Sequence, residues 1–280
     1  MFRAILISDT HLGEKTQHFR ANWTRVADWI RAEAPDLVIN TGDLSLDGAD
    51  LSVDLDMAAA AHRTLGCPTL LVPGNHDIGD HPRLSSGRQV IDEVRRQRYL
   101  DRIGPDRWVQ DVENWRLIGL NALLIGSDLA AEAEQRAWLD EIVAGAGDRR
   151  LALFLHKPFF IDRPDETVMS YWVVDPDRRE EYRFLFDHPN LRLLASGHLH
   201  QHRSYPHSSA LVLWAPSVAF IVGQGMQEDL GGLRRTGLID LRFGPDAVEA
   251  VMRELPALEN PLIDEIIHEI YPPVAAARQA

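Results

Sequence analysis

Five short apolar runs in this 280-residue chain break off, within three residues, into Asp, Asn or His. AILIS (residues 4–8) leads into Asp9-Thr10-His11, and LVIN (residues 37–40) leads through Thr41-Gly42 into Asp43. Thr69–Val72 leads through Pro73-Gly74 into Asn75-His76-Asp77. Leu151–Leu155 is followed by His156, and Leu191–Ala195 by Gly197-His198-Leu199-His200. Short apolar runs closed by polar residues read as buried strands. In an open α/β sheet the carboxyl ends of the strands face the ligand crevice. Five strand ends therefore aim Asp9, His11, Asp43, Asn75, His76, His156, His198 and His200 at one place.

Amphipathic stretches separate these runs. The spacing predicts helices over residues 18–34, 51–65, 89–103, 131–144 and 178–186, and a further strand over Trp115–Leu120. Such alternation implies parallel crossovers with helices on the sheet faces. Beyond residue 208, Ala210–Trp214, Thr236–Arg242 and Ala247–Arg253 read as strands without intervening helices, which predicts an antiparallel part. One domain over residues 1–255 is expected, followed by a tail over 256–280. Within the tail, Pro261–Tyr271 places Leu262, Ile263, Ile266, Ile267 and Ile270 on one helical face, opposite Asp264, Glu265 and Glu269. A helix this short is marginal alone, so the stripe must be buried. Two partners are open: its own domain, or a second chain in a homodimer.

Charge narrows the partners. Lys+Arg total 29 against 42 Asp+Glu, a net charge of −13, whereas a nucleic-acid backbone binder is ordinarily basic. A single cysteine, Cys67, excludes an intramolecular disulfide and suits a reducing compartment. The start MFRAILISDTHLG lacks the basic region and long apolar core of a signal peptide. No run approaches the ~18 apolar residues of a membrane-spanning helix. A cytoplasmic location is the expectation.

The eight strand-end residues offer oxygen and imidazole ligands and no thiolate, a set suited to divalent Mn, Fe, Co, Ni or Zn. They exceed the needs of one tetrahedral site, and two metals sharing a bridging carboxylate is the economical solution. Glycine beside the ligands in three of the turns permits close backbone approach. A lone Asp or His after a strand is ordinarily a helix cap or a turn residue, and His18, His62, His81, His188, His202, His207 and His268 are read that way. Independent caps would draw freely on Ser and Thr and would not place His-x-His after Gly.

In this order, Asp9-x-His11, Gly42-Asp43, Gly74-Asn75-His76-Asp77, His156 and Gly197-His198-x-His200 resemble the calcineurin-like metallophosphoesterase superfamily. The motifs run from residue 9 to 200, over two thirds of the chain. The resemblance implies an α/β fold, a four-layer αββα sandwich with mixed sheets and a dinuclear metal site at the strand C-terminal edge. It implies that Asp9, His11 and His200 hold one metal, that Asn75, His156 and His198 hold the other, and that Asp43 bridges. It casts His76 as the catalytic residue facing substrate, oriented by Asp77 or Asp43. The cofactors would be two divalent or mixed-valence ions (Mn, Fe or Zn), and the reaction in-line attack by a metal-bridging hydroxide.

GNHD, the HKP around His156 and GHLH most resemble bacterial class III cyclic-nucleotide phosphodiesterases and glycerophosphodiesterases. Lipid-A-pathway pyrophosphatases usually carry Arg where His76 stands, and protein phosphatases a GNHE followed by an arginine-containing stretch. Scaffold members lose ligands, and here none is missing. A small phosphodiester such as a 3',5'-cyclic nucleotide or a glycerophosphodiester is the expected substrate. Nucleotide pyrophosphate or broad phosphomonoester hydrolysis is the alternative. Residues 159–175, with Met169, Tyr171 and Trp172, and residues 217–229 are expected to wall the pocket, with Arg163 and Arg203 as candidate substrate contacts.

Overall fold

In the computed structural model, which describes residues 1–83, 85 and 89–270, strand β1 (Phe2–Ile7) sends Ala4 and Leu6 to one face and Ile5 and Ile7 to the other. All four are fully buried. A strand with two apolar faces needs a layer on each side. The chain supplies them in the order α1 (Arg20–Glu33), β2 (Leu37–Asn40), α2 (Ser52–Arg63), β3 (Thr69–Leu71), α3 (Asn75–Ile78) and α4 (Glu93–Arg102). There follow β4 (Trp108–Val112), β5 (Trp115–Leu120), α5 (Ala130–Ala144), β6 (Arg150–Leu155), α6 (Pro176–Arg179), α7 (Arg183–Phe186) and β7 (Leu191–Ser196). The chain closes with β8 (Arg203–His207), β9 (Ala210–Trp214), β10 (Leu238–Phe243), β11 (Val248–Arg253) and α8 (Ile263–Ile270).

The strands form two mixed sheets, ordered β11-β10-β1-β2-β3 and β4-β5-β6-β7-β9-β8. Between them lies a layer built from Leu6, Leu37, Ile39 and Leu241 of the first and Leu117, Phe154, Leu193 and Leu213 of the second. On the outer face of the first sheet, Ile5, Ile7 and Val38 meet Val26 and Ile30 of α1, Leu55 of α2 and Tyr99 of α4. On the outer face of the second, Leu153 and Leu155 meet Leu139 of α5 and Leu185 of α7. The architecture is the expected four-layer αββα sandwich. No helix among the described residues is long and apolar enough to cross a membrane.

The strands read from the sequence lie within two residues of their expected limits. Two were not foreseen. Both β4 and β8 are outermost strands, paired on one side only and antiparallel. An edge strand needs no continuous apolar run, and β8 even tolerates Pro206. The helix expected over 178–186 is broken into α6, a 3₁₀ turn at Glu180–Tyr182, and α7. There Arg179 turns inward to donate to the carbonyls of Pro164 and Glu166. The helix expected from residue 89 starts at Glu93, because the Asp92 side chain accepts from the Arg95 N–H and caps it.

The tail helix is docked on its own chain. Ile263 and Ile270 are buried with Phe19, Leu46, Phe220 and Val222. The homodimer contact receives no support: Ile263 and Ile270 are covered by the chain itself, and Leu262, Ile266 and Ile267 are half-buried. Tyr271, the last residue of the expected helix, and the rest of the tail lie outside the described residues.

Leu193 touches both sheets' shared layer and is fully buried. Leu193→Ala should lower the free energy of unfolding by about 2–5 kcal/mol in a denaturant titration. A loss under about 1 kcal/mol would mean that the two sheets do not pack through this layer.

Candidate metal centre

Each of β1, β2, β3, β6 and β7 ends at the same edge of the sandwich, and the turn after each carries the polar residues. The turns after β1 and β2 are zipped together: the Asp9 N–H donates to Gly42 O, the His11 N–H to Asp43 O, and the Leu12 N–H to Leu44 O. Five of the eight candidate residues sit at positive φ, namely Asp9 (52°), His11 (42°), Asp43 (51°), His198 (68°) and His200 (52°). Each such residue costs about 1–3 kcal/mol, and such strain persists where surrounding structure over-determines it, typically at functional sites. Glycine makes the close approach workable. A Cβ on Gly74 would stand 2.1 Å from Asp43 Oδ1, and Gly42 itself adopts φ 104°.

The side chains fall into clusters whose ligand atoms lie within 4.8 Å of one another: Asp9, His11 and His200; His11, Asp43 and His76; Asp43, His156 and His198. Asp43 Oδ2 links them, 3.7 Å from His11 Nε2 and 3.3 Å from His156 Nε2. Asn75 Oδ1 lies 3.2 Å from His156 Nε2, which adds it to the second group. All eight candidate residues thus converge.

Ring orientation shows what the site is prepared to hold. Four imidazoles donate one ring N–H to a backbone carbonyl: His156 Nδ1 to Thr41 O, His200 Nδ1 to Phe220 O, His76 Nδ1 to Leu46 O, each at 2.8 Å, and His198 Nε2 to Tyr171 O at 3.1 Å. The opposite nitrogen of each is then the one that can take a metal or a second proton, the arrangement that fixes the tautomer of a metal-ligating histidine. His11 Nε2 and His200 Nε2 approach to 3.2 Å, and two lone pairs at that distance repel unless a proton or cation intervenes. Asp9 Oδ1 is buried without a hydrogen-bond partner among the described residues, while Oδ2 accepts from the His198 N–H. A buried carboxylate oxygen without a donor calls for positive charge. The donor set therefore fits divalent metal.

The protonation states agree. Burial opposes charge on Asp43, yet the neighbouring histidines, His156 foremost, hold its carboxyl well below the usual range. Burial works against a charged His156 too, but Asp43 prevails and holds that imidazole up at about 9. Burial pushes His11 and His198 well down, so both are neutral and ready to ligate.

Several supports were not legible from the sequence. Asp77 does not orient His76. Its carboxylate takes the N–H groups of Leu44, Ser45 and Gly74 and the Ser45 hydroxyl, and so ties the Asp43 turn to the Asn75 turn. Burial and the charge of Asp43 push it up to about 6. The Leu46 carbonyl orients His76, while Asp43 Oδ1 accepts from the His76 backbone N–H and Oδ2 stands 4.0 Å from Nε2. His62, read as a surface or cap residue, is buried in α2 and pushed down to about 4 by burial. Its Nε2 accepts from Asn40, whose Oδ1 accepts from the Gly42 N–H just before Asp43. Buried Lys157 pairs with Asp80 at 2.8 Å. Nothing in the motif spacing marks His62 or Asp80, because both act across the fold. Arg163 and Arg203 are not among the described residues lining the pocket. Arg163 pairs with Asp165, and Arg203 with Asp162.

The pocket above the cluster has a floor of His11, Asp43, His76, His198 and His200. Tyr171 and Trp172 line it from the first expected loop, and Phe220, Val222 and Met226 from the second. Ile263 and Ile267 of α8 complete it.

The chain belongs to the calcineurin-like phosphoesterase family, whose sequence model matches residues 2–202. It is a hydrolase acting on phosphate esters. It is 27% identical over 245 residues to the 3',5'-cyclic adenosine monophosphate phosphodiesterase CpdA of Pseudomonas aeruginosa, covering 80% of this chain and 79% of that one. It is 26% identical over 203 residues to a probable cyclic nucleotide phosphodiesterase of Synechococcus sp., covering 72% of this chain and 66% of that one. The latter alignment thus spans about two thirds of the relative's length. The fold is similar to that of a dimetal phosphatase from Danio rerio, with TM-score 0.58 and 16% identity over 90% of this chain and 96% of the other.

Because His156 is protonated up to about pH 9 in the metal-free protein, metal must displace that proton. Mn²⁺ affinity should therefore rise between pH 6 and 8, by about tenfold per pH unit for each proton released. Calorimetry in two buffers of different ionisation heat should show net proton release. Affinity independent of pH would contradict the protonated His156–Asp43 pair.

Proposed function

We propose that this chain is a phosphodiesterase for small diesters such as 3',5'-cyclic nucleotides or glycerophosphodiesters. Asp9, His11 and His200 would hold one divalent ion, Asn75, His156 and His198 the other, and Asp43 would bridge them, with Mn, Fe or Zn as the candidate metals. The observation that carries this reading is the pair of ligand clusters joined through one oxygen of Asp43, with the His76 ring beside it. The two phosphodiesterase-named relatives support the diester assignment. So does the lining. The described residues around the pocket include no Arg or Lys. A phosphomonoester dianion would gain from such a cation, whereas a diester carries a single negative charge.

When bound, a pair of divalent cations supplies an acidified water and positive charge for the phosphoryl oxygens. The protein's own part is positioning. Thr41, Phe220 and Tyr171 carbonyls hold the ligand imidazoles in one tautomer each. Leu46 O holds the Nδ1 proton of His76. Nε2 is then the atom that carries the exchangeable proton toward the pocket, placed to stabilise the reacting phosphoryl group or protonate a departing alkoxide. Phe220 lies against the rings of both His11 and His200 and packs them in place.

His76→Ala should retain both metals and lose about 10²–10⁴ in kcat on an alkyl diester. The loss should shrink for p-nitrophenolate, a leaving group that needs no proton. Equal losses would assign His76 a purely electrostatic role, and loss of metal would make it a ligand. The assignment as a whole is tested by assaying Mn-reconstituted protein on bis-p-nitrophenyl phosphate, p-nitrophenyl phosphate, cyclic AMP, a glycerophosphodiester and a nucleotide pyrophosphate. Diesters should be hydrolysed with the highest kcat/KM. Faster turnover of monoesters or pyrophosphates would overturn the reading.

A further inference from the structure

Resting on the phosphodiesterase reading above, we propose that the C-terminal helix is a specificity element. In this view α8 and the loop it clamps select diesters that carry an apolar ring close to phosphorus, and discriminate against polyol esters such as glyceryl ones.

The helix is fastened to the pocket wall rather than laid loosely over it. The Ile221 N–H donates to Pro261 O and the Ile263 N–H to Ile221 O, which joins the segment before α8 to the second pocket loop in a short parallel bridge. The Gly223 N–H donates to Asp264 Oδ1 at 2.7 Å. His18 Nε2 and Glu269 lie 3.0 Å apart and join the far end of α8 to the segment before α1. Ile263 is nearly fully buried beneath this wall, while Ile267 is only half-buried and faces the cavity.

The wall so built has a consistent chemistry. Phe220, Met226, Ile263 and Ile267 offer no side-chain hydrogen-bonding group, and Tyr171 and Trp172 stand with them around the same cavity. The cavity, polar floor included, measures about 130 Å³. With the phosphoryl group on the polar floor, the substituent it carries would lie against this apolar wall. A glyceryl group laid against Phe220, Met226, Ile263 and Ile267 would find no hydrogen-bonding side chain on that side, and unpaired buried polar groups are what apolar sites reject. Met226 is 46% exposed at the rim, an unbranched side chain able to adjust to rings of different shape.

The test is direct binding, measured calorimetrically on Mn-loaded His76→Ala protein to suppress turnover. The probes are dimethyl phosphate, methyl phenyl phosphate and glyceryl methyl phosphate, which carry the same charge. Methyl phenyl phosphate should bind at least about tenfold tighter than dimethyl phosphate, the scale of discrimination that apolar pockets achieve. Glyceryl methyl phosphate should bind no tighter than dimethyl phosphate. Ile267→Ser, and Ile267→Ser with Met226→Ser, should reduce the phenyl-over-methyl ratio several-fold; both residues are partly exposed, so the fold should persist. Equal affinity for the phenyl and methyl esters, or tighter binding of the glyceryl ester, overturns the proposal. A full ratio retained in both variants overturns its assignment to α8. Wild-type turnover separates this failure from that of the underlying reading: if diesters are hydrolysed and no ring preference is found, only the specificity claim falls. If no diester is hydrolysed, the phosphodiesterase reading falls.

Discussion

The buried carboxylate of Asp43 is the constraint on which the rest of this structure depends. It is 2% exposed, it lies at the seam between two sheets, and one of its oxygens faces an imidazole from each side. An ion removed from water in this way must find opposite charge nearby. In the metal-free chain the proton on His156 supplies part of that charge. Asp9 has the same requirement: Oδ1 has no hydrogen-bond partner among the described residues, and His200 Nε2 stands 3.3 Å from it. Divalent cations would answer both demands, and the carbonyls that hold one nitrogen of His156, His200 and His198 leave the other for such ions.

Much of the fold follows from holding those groups in place. Two sheets are needed because the candidate ligands come from strands in both: Asp9, His11, Asp43 and Asn75 from the first, His156, His198 and His200 from the second. The apolar layer between the sheets fixes their relative position, and Leu193 and Leu6 in it lie behind the turns that carry the ligands. The turns themselves are strained, with positive φ at five of the candidate ligand positions. Asp77, with its four donors, and His62, acting through Asn40, offset that strain by locking the second turn from two directions. Strength in the sandwich is thus spent on precision at its edge.

The strands and the convergence of the eight polar residues at their ends were readable because each depends on local pattern. A run such as LVIN followed by Thr-Gly-Asp declares both a buried strand and what its end presents. Of the four outermost strands, β3 and β11 were read and β4 and β8 escaped, since pairing on one side leaves an edge strand free to carry a broken apolar pattern. The orienting partners escaped for a different reason. His62 sits on a helix face, Leu46 acts through a carbonyl common to every residue, and Asp77 turns away from its neighbour His76, so no spacing rule marks them. The tail's apolar stripe was visible, but its partner was not, because amphipathicity states that a face is buried and not against what. That Ile263 and Ile267 line the pocket is a fact of tertiary structure alone.

The most direct measurement is anomalous diffraction from crystals of the Mn-reconstituted protein, recorded to locate the metal positions. Two peaks per chain, about 3.5–4 Å apart with Asp43 between them, are the predicted result. A single peak at full occupancy, or two peaks with Asp43 bound to only one, would contradict the bridging role on which this account rests.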